Sequence, residues 1–272
     1  MNTIPKEVDE VLKQYFNLFD DKFPNLLESY HIYGSVSLGA FKYGASDIDF
    51  VAILKRKINE DDLNGLKEIH TNIKKVFPKI DLMGFYITQD NLMSNINNEK
   101  TCACFIEGEF KGFIEFDRNS IDAYQLQSYG ITVKGKEIST YNITIDWYIL
   151  LKNMIDNINS YWFNRVNSYK KFLSRPYLNS IFSLEEIEWG VLSVSRIYYT
   201  INEKDIVSKI GAGEYALRTL PERWHKIINE AMRLRKDDNN SCYKSFISRR
   251  KDAINYMTFI IQESNKLYSI SQ

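Results

Sequence analysis

The sequence predicts an α+β protein: a mixed sheet with its helices over residues 1–140, then an all-α bundle over residues 141–272. Three observations predict it. Before residue 140, short apolar and alternating runs interleave with two helical patterns. Beyond it, nearly all apolar residues recur at helical spacing. The 272 residues are 44% hydrophobic, enough chain for two cores and too apolar for disorder.

The elements follow in order. Ile4, Val8, Val11, Leu12, Tyr15, Phe16 and Phe19 mark a first helix, with Pro5 tolerated in its first turn. His31-Ile32-Tyr33 is a short apolar stretch ending at Gly34-Ser35, and a turn region with Gly39 and Gly44 follows. Ser46 to Leu54 reads as a strand. Asn59 is an N-cap, Leu63, Leu66, Ile69, Ile73 and Val76 are the buried stripe of the next helix, and Pro78 ends it. Ile80 to Thr88 reads as a strand, residues 101–117 as a hairpin, and Ile131 to Val133 as one more strand. In the second half a long helix runs from Trp147 to Val166, and another starts at Ser183 and reaches about Ile201. Short helical patterns around Tyr215–Leu217 and over Trp224–Leu234 precede a last helix over Tyr243–Tyr268.

Charge and cysteine content narrow the partners. Lys plus Arg number 35 and Asp plus Glu number 35. A protein that grips a long nucleic acid usually carries a basic excess, so a small ligand is expected instead. No apolar run approaches the roughly 18 residues of a membrane span, and the charged N-terminus MNTIPKEVDE does not read as a secretory leader. Cys102, Cys104 and Cys242 form neither a disulfide framework nor a zinc pattern, which fits a reducing cytoplasm.

The chemistry concentrates in Gly34 to Phe50, GSVSLGAFKYGASDIDF. Gly34 and Ser35 leave a strand, and such a junction offers backbone N–H groups and a hydroxyl to an anion, with a glycine allowing close approach. Asp47 and Asp49 lie two apart in the expected strand, so both carboxylates point to one face. With no Lys or Arg between them they repel each other, and a hard divalent cation is the usual compensation. A phosphate cradle beside a carboxylate pair makes a phosphoryl- or nucleotidyl-transfer site.

Gly34-Ser35, the glycines after them and Ser46-Asp47-Ile48-Asp49 resemble the signature of the DNA polymerase β-like nucleotidyltransferase superfamily. Residues 189–200, WGVLSVSRIYYT, are similar to a helix of the aminoglycoside adenylyltransferases that act on streptomycin and spectinomycin. Residues 206–224, IVSKIGAGEYALRTLPERW, are similar to the segment that follows it in that family. The resemblance spans about residues 30–235. It implies a nucleotidyltransferase domain followed by the helical domain, with ATP in the cleft. It also implies a monomeric, cytoplasmic antibiotic-resistance enzyme that transfers AMP from MgATP to a drug hydroxyl and releases pyrophosphate.

The resemblance further implies that Asp47 and Asp49 hold two Mg²⁺ ions, and that Gly34, Ser35 and Ser46 meet the triphosphate. Arg196 and Lys209 would reach the triphosphate from the helical domain. The relatives use a third carboxylate as metal ligand or base, but Met83 stands where some of them have Glu. Asp81, two residues earlier, is slightly preferred as the replacement over Glu115. A cationic drug would meet Glu185 or Glu186, although Ser183 and Glu186 also fit a capping box. Trp189 and Tyr177 would flank the drug rings, and both also fit simple core packing. The basic stretch Arg218–Lys251, densest at Arg233, Arg235 and Lys236, reads as a solvated face that could add positive potential. Two alternatives stay open: the same fold acting on another small molecule or a protein hydroxyl, and a nucleotide-binding homologue without catalysis.

Overall fold

The computed structural model describes residues 4–94 and 100–271. The backbone divides into two units, Met1–Asp146 and Trp147–Gln272. No helix among the described residues is long and apolar enough to cross a membrane.

In the first unit, α1 (Lys6–Lys22) begins after Pro5 and buries Val8, Val11, Leu12, Tyr15 and Phe19 along one stripe. β1 (Leu27–Tyr33) leads into one short turn of helix, α2 (Gly34–Ser37). β2 (Ile48–Leu54) begins two residues later than the sequence pattern suggests. The reason is local: Ser46 N still closes the preceding turn onto Lys42 O, and Ile48 N is the first to join the sheet, at Asp81 O. Asp47 thus lies just ahead of the strand and Asp49 within it.

α3 (Glu60–Val76) starts at a full capping box. Asn59 Oδ1 accepts from Asp62 N at 2.8 Å, and Asn59 N donates back to Asp62 Oδ2 at 2.9 Å. Val76, expected in the buried stripe, is 57% exposed, because the last turn of α3 runs past the apolar face it covers. β3 (Leu82–Thr88) and α4 (Gln89–Met93) follow, then the hairpin β4 (Cys102–Ile106) and β5 (Glu109–Ile114). α5 (Ile121–Tyr129), β6 (Ile131–Gly135) and a 3-10 turn (Ile138–Tyr141) complete the unit.

The six strands run in the order β5-β4-β3-β2-β1-β6. Only β2 and β3 are parallel, joined through α3; every other neighbouring pair is antiparallel. Alternation along β2 sorts the two faces. Ile48, Phe50, Ala52 and Leu54 pack with α1 and α3, while Val51 and Ile53 pack with Leu92, Ala123 and Leu126 from α4 and α5. Asp49 lies on the second face, at the strand end where the apolar residues stop.

The second unit is helical throughout. α6 (Trp147–Asn157) continues through a π-helical turn (Ile158–Trp162) into α7 (Phe163–Lys170), so the long helix expected here carries a bulge. α8 (Arg175–Phe182) and α9 (Leu184–Glu203) follow. Next come α10 (Lys209–Thr219), a 3-10 turn (Glu222–Trp224), α11 (His225–Arg235) and α12 (Phe246–Ser271). α9 is the central helix and packs against α10, α11 and α12.

Candidate active site

The end of β1 and the start of β2 meet at one point. Tyr33 is the register partner of Asp49. The next residue, Gly34, has φ +67°, and a Cβ there would fall 1.7 Å from Asp49 Oδ2. The Asp49 carboxylate therefore occupies the space that a side chain at position 34 would take. Gly34 meets two demands, a left-handed backbone and this close approach. Ser35 Oγ, one residue on, is buried and has no hydrogen-bond partner. Ser46 is buried, and its Oγ accepts from Lys42 N at 3.1 Å, which shapes the turn that delivers Asp47. Asp47 itself is exposed.

Tyr33 lies under this corner, 5% exposed. Burial pushes its hydroxyl well above the usual tyrosine range, and the charges of Asp122 and Asp49 push it further, so it remains protonated. Asp122 belongs to the first turn of α5, which packs on β1 and α2. Sequence reading missed it, since it lies more than 70 residues beyond Asp49 in a segment without a recognisable motif. No group of three or more His, Cys, Asp or Glu suited to a metal occurs among the described residues. Asp47 and Asp49 are the carboxylates of this corner that would face a divalent cation, whose shell phosphate oxygens and water commonly complete.

The residues around the third carboxylate lie as follows. Met83 is the register partner of Asp49 on β3. Asp81 is one step outside the strand, its carbonyl accepting from Ile48 N at 2.8 Å. Its carboxylate turns the other way: Oδ2 accepts from Glu107 N in the β4–β5 turn at 2.7 Å, and Oδ1 is buried without a partner. Glu115 follows β5, whose Ile114 pairs with Cys102 at the start of β4. Because β4 is antiparallel to β3, Glu115 comes to the far end of the sheet, three strands from Asp49. At ~3.3 Å per residue it is on the order of 15–20 Å away along the strands. The structure does not bring Glu115 to Asp49.

The second unit has its own polar centre. Arg196 and Glu188 lie on α9, Lys209 is the first residue of α10, and Arg235 is the last of α11. Glu188 Oε1 accepts from Lys209 Nζ at 3.2 Å and lies 3.9 Å from an Arg235 terminal nitrogen. Their side chains are 14%, 22% and 12% exposed. Burial lowers the Lys209 ammonium from its ordinary value; the cations of Arg235 and Arg196 add to this and Glu188 opposes it. The structure thus brings Arg196 and Lys209 together, and adds Glu188 and Arg235.

The residues expected to meet a drug are partly engaged. Glu186 N donates to Ser183 Oγ at 3.1 Å, which is half of a capping box. The return bond is replaced, because Ser183 N goes to Asn179 O, while the Glu186 carboxylate takes Arg165 Nε at 3.0 Å and the Tyr169 hydroxyl. Trp189 packs against Trp162 with ring centres 4.7 Å apart and planes tilted by 32°, and Arg165 covers its ring at 5.3 Å. Tyr177 lies under the Arg250 guanidinium at 4.3 Å. Glu185 is exposed.

Comparison with known proteins agrees with this division. Residues 12–104 match the family described as the nucleotidyltransferase domain. Residues 179–259 match the family described as the aminoglycoside adenylyltransferase C-terminal domain. No curated protein matches. Among solved structures, the chain is similar to the spectinomycin adenyltransferase AAD(9) from Enterococcus faecialis, crystallised with ATP and spectinomycin. The TM-score is 0.68 at 14% identity, over 93% of this chain and 99% of that one, a likeness of fold. The chain thus carries a nucleotidyltransferase domain followed by an aminoglycoside adenylyltransferase C-terminal domain, which together support an aminoglycoside nucleotidyltransferase.

Proposed function

We propose that the protein transfers AMP from MgATP to a hydroxyl of spectinomycin or streptomycin and releases pyrophosphate. The observation that carries the reading is the Asp49 carboxylate lying against Gly34. It supports a metal-binding role for Asp49 and a phosphate-facing role for the Gly34-Ser35 turn at the same corner of the sheet. Asp47 and Asp49 are the residues that would hold Mg²⁺, which when bound supplies charge neutralisation at the phosphate oxygens. Gly34 lets a phosphate come close, and the buried hydroxyls of Ser35 and Ser46 donate to its oxygens. Arg196 and Lys209 are the residues that would supply cations to a triphosphate. The acceptor hydroxyl oxygen bonds to the α-phosphorus as the bond from that phosphorus to the β-phosphate bridging oxygen breaks, and the hydroxyl proton passes to water. Fixed charges, already oriented before reaction, supply most of the rate enhancement. Glu185, which is exposed, and Glu186, which is paired with Arg165 and Tyr169, are the acids a cationic drug would meet, and Trp189 and Tyr177 are the rings that would flank it.

Met83 beside Asp49 favours a second reading, a homologue that binds nucleotide without transferring it. Pyrophosphate release separates the two. Release that needs MgATP together with spectinomycin or streptomycin, and that stops in Asp47→Asn and Asp49→Asn while both variants keep the wild-type circular dichroism, supports transfer. ATP binding with no release in the presence of either drug supports the second reading.

A further inference from the structure

We propose that the far end of the sheet holds a second binding site, for a small organic anion: a carboxylate or phosphate carried on a flat apolar body. The site is independent of the corner at Asp49. Asp49 and Leu54 stand near opposite ends of β2, roughly 15–17 Å apart at ~3.3 Å per residue.

The topology opens a crevice there. β2 and β3 are parallel, and the helices that follow them leave to opposite faces of the sheet. α3 packs with Phe50 and Leu54 on the first face, and α4 packs with Val51 and Ile53 on the second. Helices that part in this way leave a gap beyond the carboxyl ends of the two strands, the place where open α/β sheets commonly take ligands. A cavity of about 220 Å³ lies at this gap, lined by the chain leaving β2, the end of β3, α4 and the hairpin. It is smaller than the roughly 300–1,000 Å³ of a drug-sized pocket, which limits the ligand body to about two fused rings.

The lining selects for charge. Its charged members are Arg56, Lys57 and Lys100, with no described Asp or Glu among them. Asp62 answers Arg56, its Oδ1 accepting from a guanidinium nitrogen at 3.0 Å. Lys57 and Lys100 have no such partner among the described residues. Two uncharged donors join them. Thr88 Oγ1 accepts from Asn91 N at 3.4 Å and keeps its own proton to donate. Asn91 Nδ2 is shut off from solvent and has no hydrogen-bond partner. A buried amide donor left unpaired is destabilising, and an acceptor oxygen bound beside Asn91 would supply the missing partner.

The rest of the lining is apolar. Leu54, Ile58 and Ile87 form a wall, and Phe113 on the edge strand β5 is left 41% exposed. An exposed ring on an edge strand invites non-specific association unless something covers it. Donors that fix an anion above an apolar wall suit a ligand with one charged end and one flat, apolar end.

The test is calorimetric titration of naphthylacetate, naphthyl phosphate and the neutral naphthylethanol into the full-length protein, with and without MgATP. The two anions separate a carboxylate ligand from a phosphate one. At least one anion is expected to bind about tenfold tighter than the alcohol, equally with and without MgATP. In the double variant Lys57→Gln with Lys100→Gln, that preference should disappear while the affinity for the alcohol stays. Phe113→Ser should weaken all three severalfold. Both lysines are exposed, so the lysine variant keeps the wild-type fold and decides if Phe113→Ser does not fold. Equal affinity for anions and alcohol, an unmoved preference in the lysine variant, or displacement of the anion by MgATP would overturn the proposal. So would the absence of binding by all three compounds.

Discussion

Gly34 and Gly44 both have positive φ, +67° and +76°, but only one has a neighbour in the way. An alanine at either position strains the backbone by roughly 1 kcal/mol. At Gly34 it also displaces the Asp49 carboxylate. Gly34→Ala is therefore expected to lower turnover by about a hundredfold, the scale on which a misplacement of ~1 Å costs rate. Gly44→Ala, with open space around it, should cost only the strain and keep its turnover. Denaturant melts and pyrophosphate release, measured on both variants, separate strain from catalysis.

The histidines make a second residue-scale prediction. Burial holds His70 near 3 and His31 near 4, below the ordinary value of 6.5. Both are neutral in the fold: His70 Nε2 meets the Tyr86 hydroxyl at 2.9 Å, and His31 Nε2 meets Ser29 Oγ at 2.9 Å. Groups whose folded pKa is depressed contribute stability above their unfolded value and lose it as pH falls. The denaturation midpoint should drop between about pH 6.5 and pH 4, and His70→Gln should flatten part of that drop. An unchanged slope in that variant would contradict the assignment.

Among the elements, the segment after α11 is tied down by one buried carboxylate. Glu230 takes Arg233 at 2.9 and 3.0 Å, Cys242 N at 2.8 Å and Ser241 Oγ at 2.9 Å, with Arg249 at 3.3 Å. Burial pushes its carboxyl up, but Arg233, Cys242 N and Ser241 outweigh that and hold it at about 2. Its contribution is present above about pH 4.5 and lost as pH falls toward 2. Glu230→Gln strands Arg233 and should cost about 3 kcal/mol, read as a lower midpoint in a urea melt. A loss under ~1 kcal/mol would show that the segment is held by other contacts.

The same scale explains which elements could be read in advance. α1, α3 and α9 span 17 to 20 residues with repeating apolar stripes, and each was legible. α5 and α8, of nine and eight residues, have too few turns for a period to emerge. The π-helical turn in Ile158–Trp162 leaves the apolar spacing nearly unchanged, so Trp147 to Val166 reads as one helix. Glu115 looked available because GFIEF reads as a strand; only the hairpin register sends it to the far end.

At the scale of the whole molecule, what was legible was contiguous. Gly34 to Asp49 falls within one stretch of chain, and residues 189–200 form most of one helix, so their spacing alone is informative. The Glu188, Lys209 and Arg235 contacts join three helices and have no signature in sequence. Charge follows the same pattern. A net charge of zero is compatible with carboxylates gathered at Asp47 and Asp49 in one unit and cations gathered around Glu188 in the other.

The central claim is that this chain adenylylates an aminoglycoside. The most direct test is mass spectrometry of spectinomycin and streptomycin after incubation with the protein and MgATP. The account predicts that at least one drug gains the mass of a single AMP group, and that the product disappears with Asp47→Asn or Asp49→Asn. Unmodified drugs in every reaction, with a folded protein that binds MgATP, would contradict it.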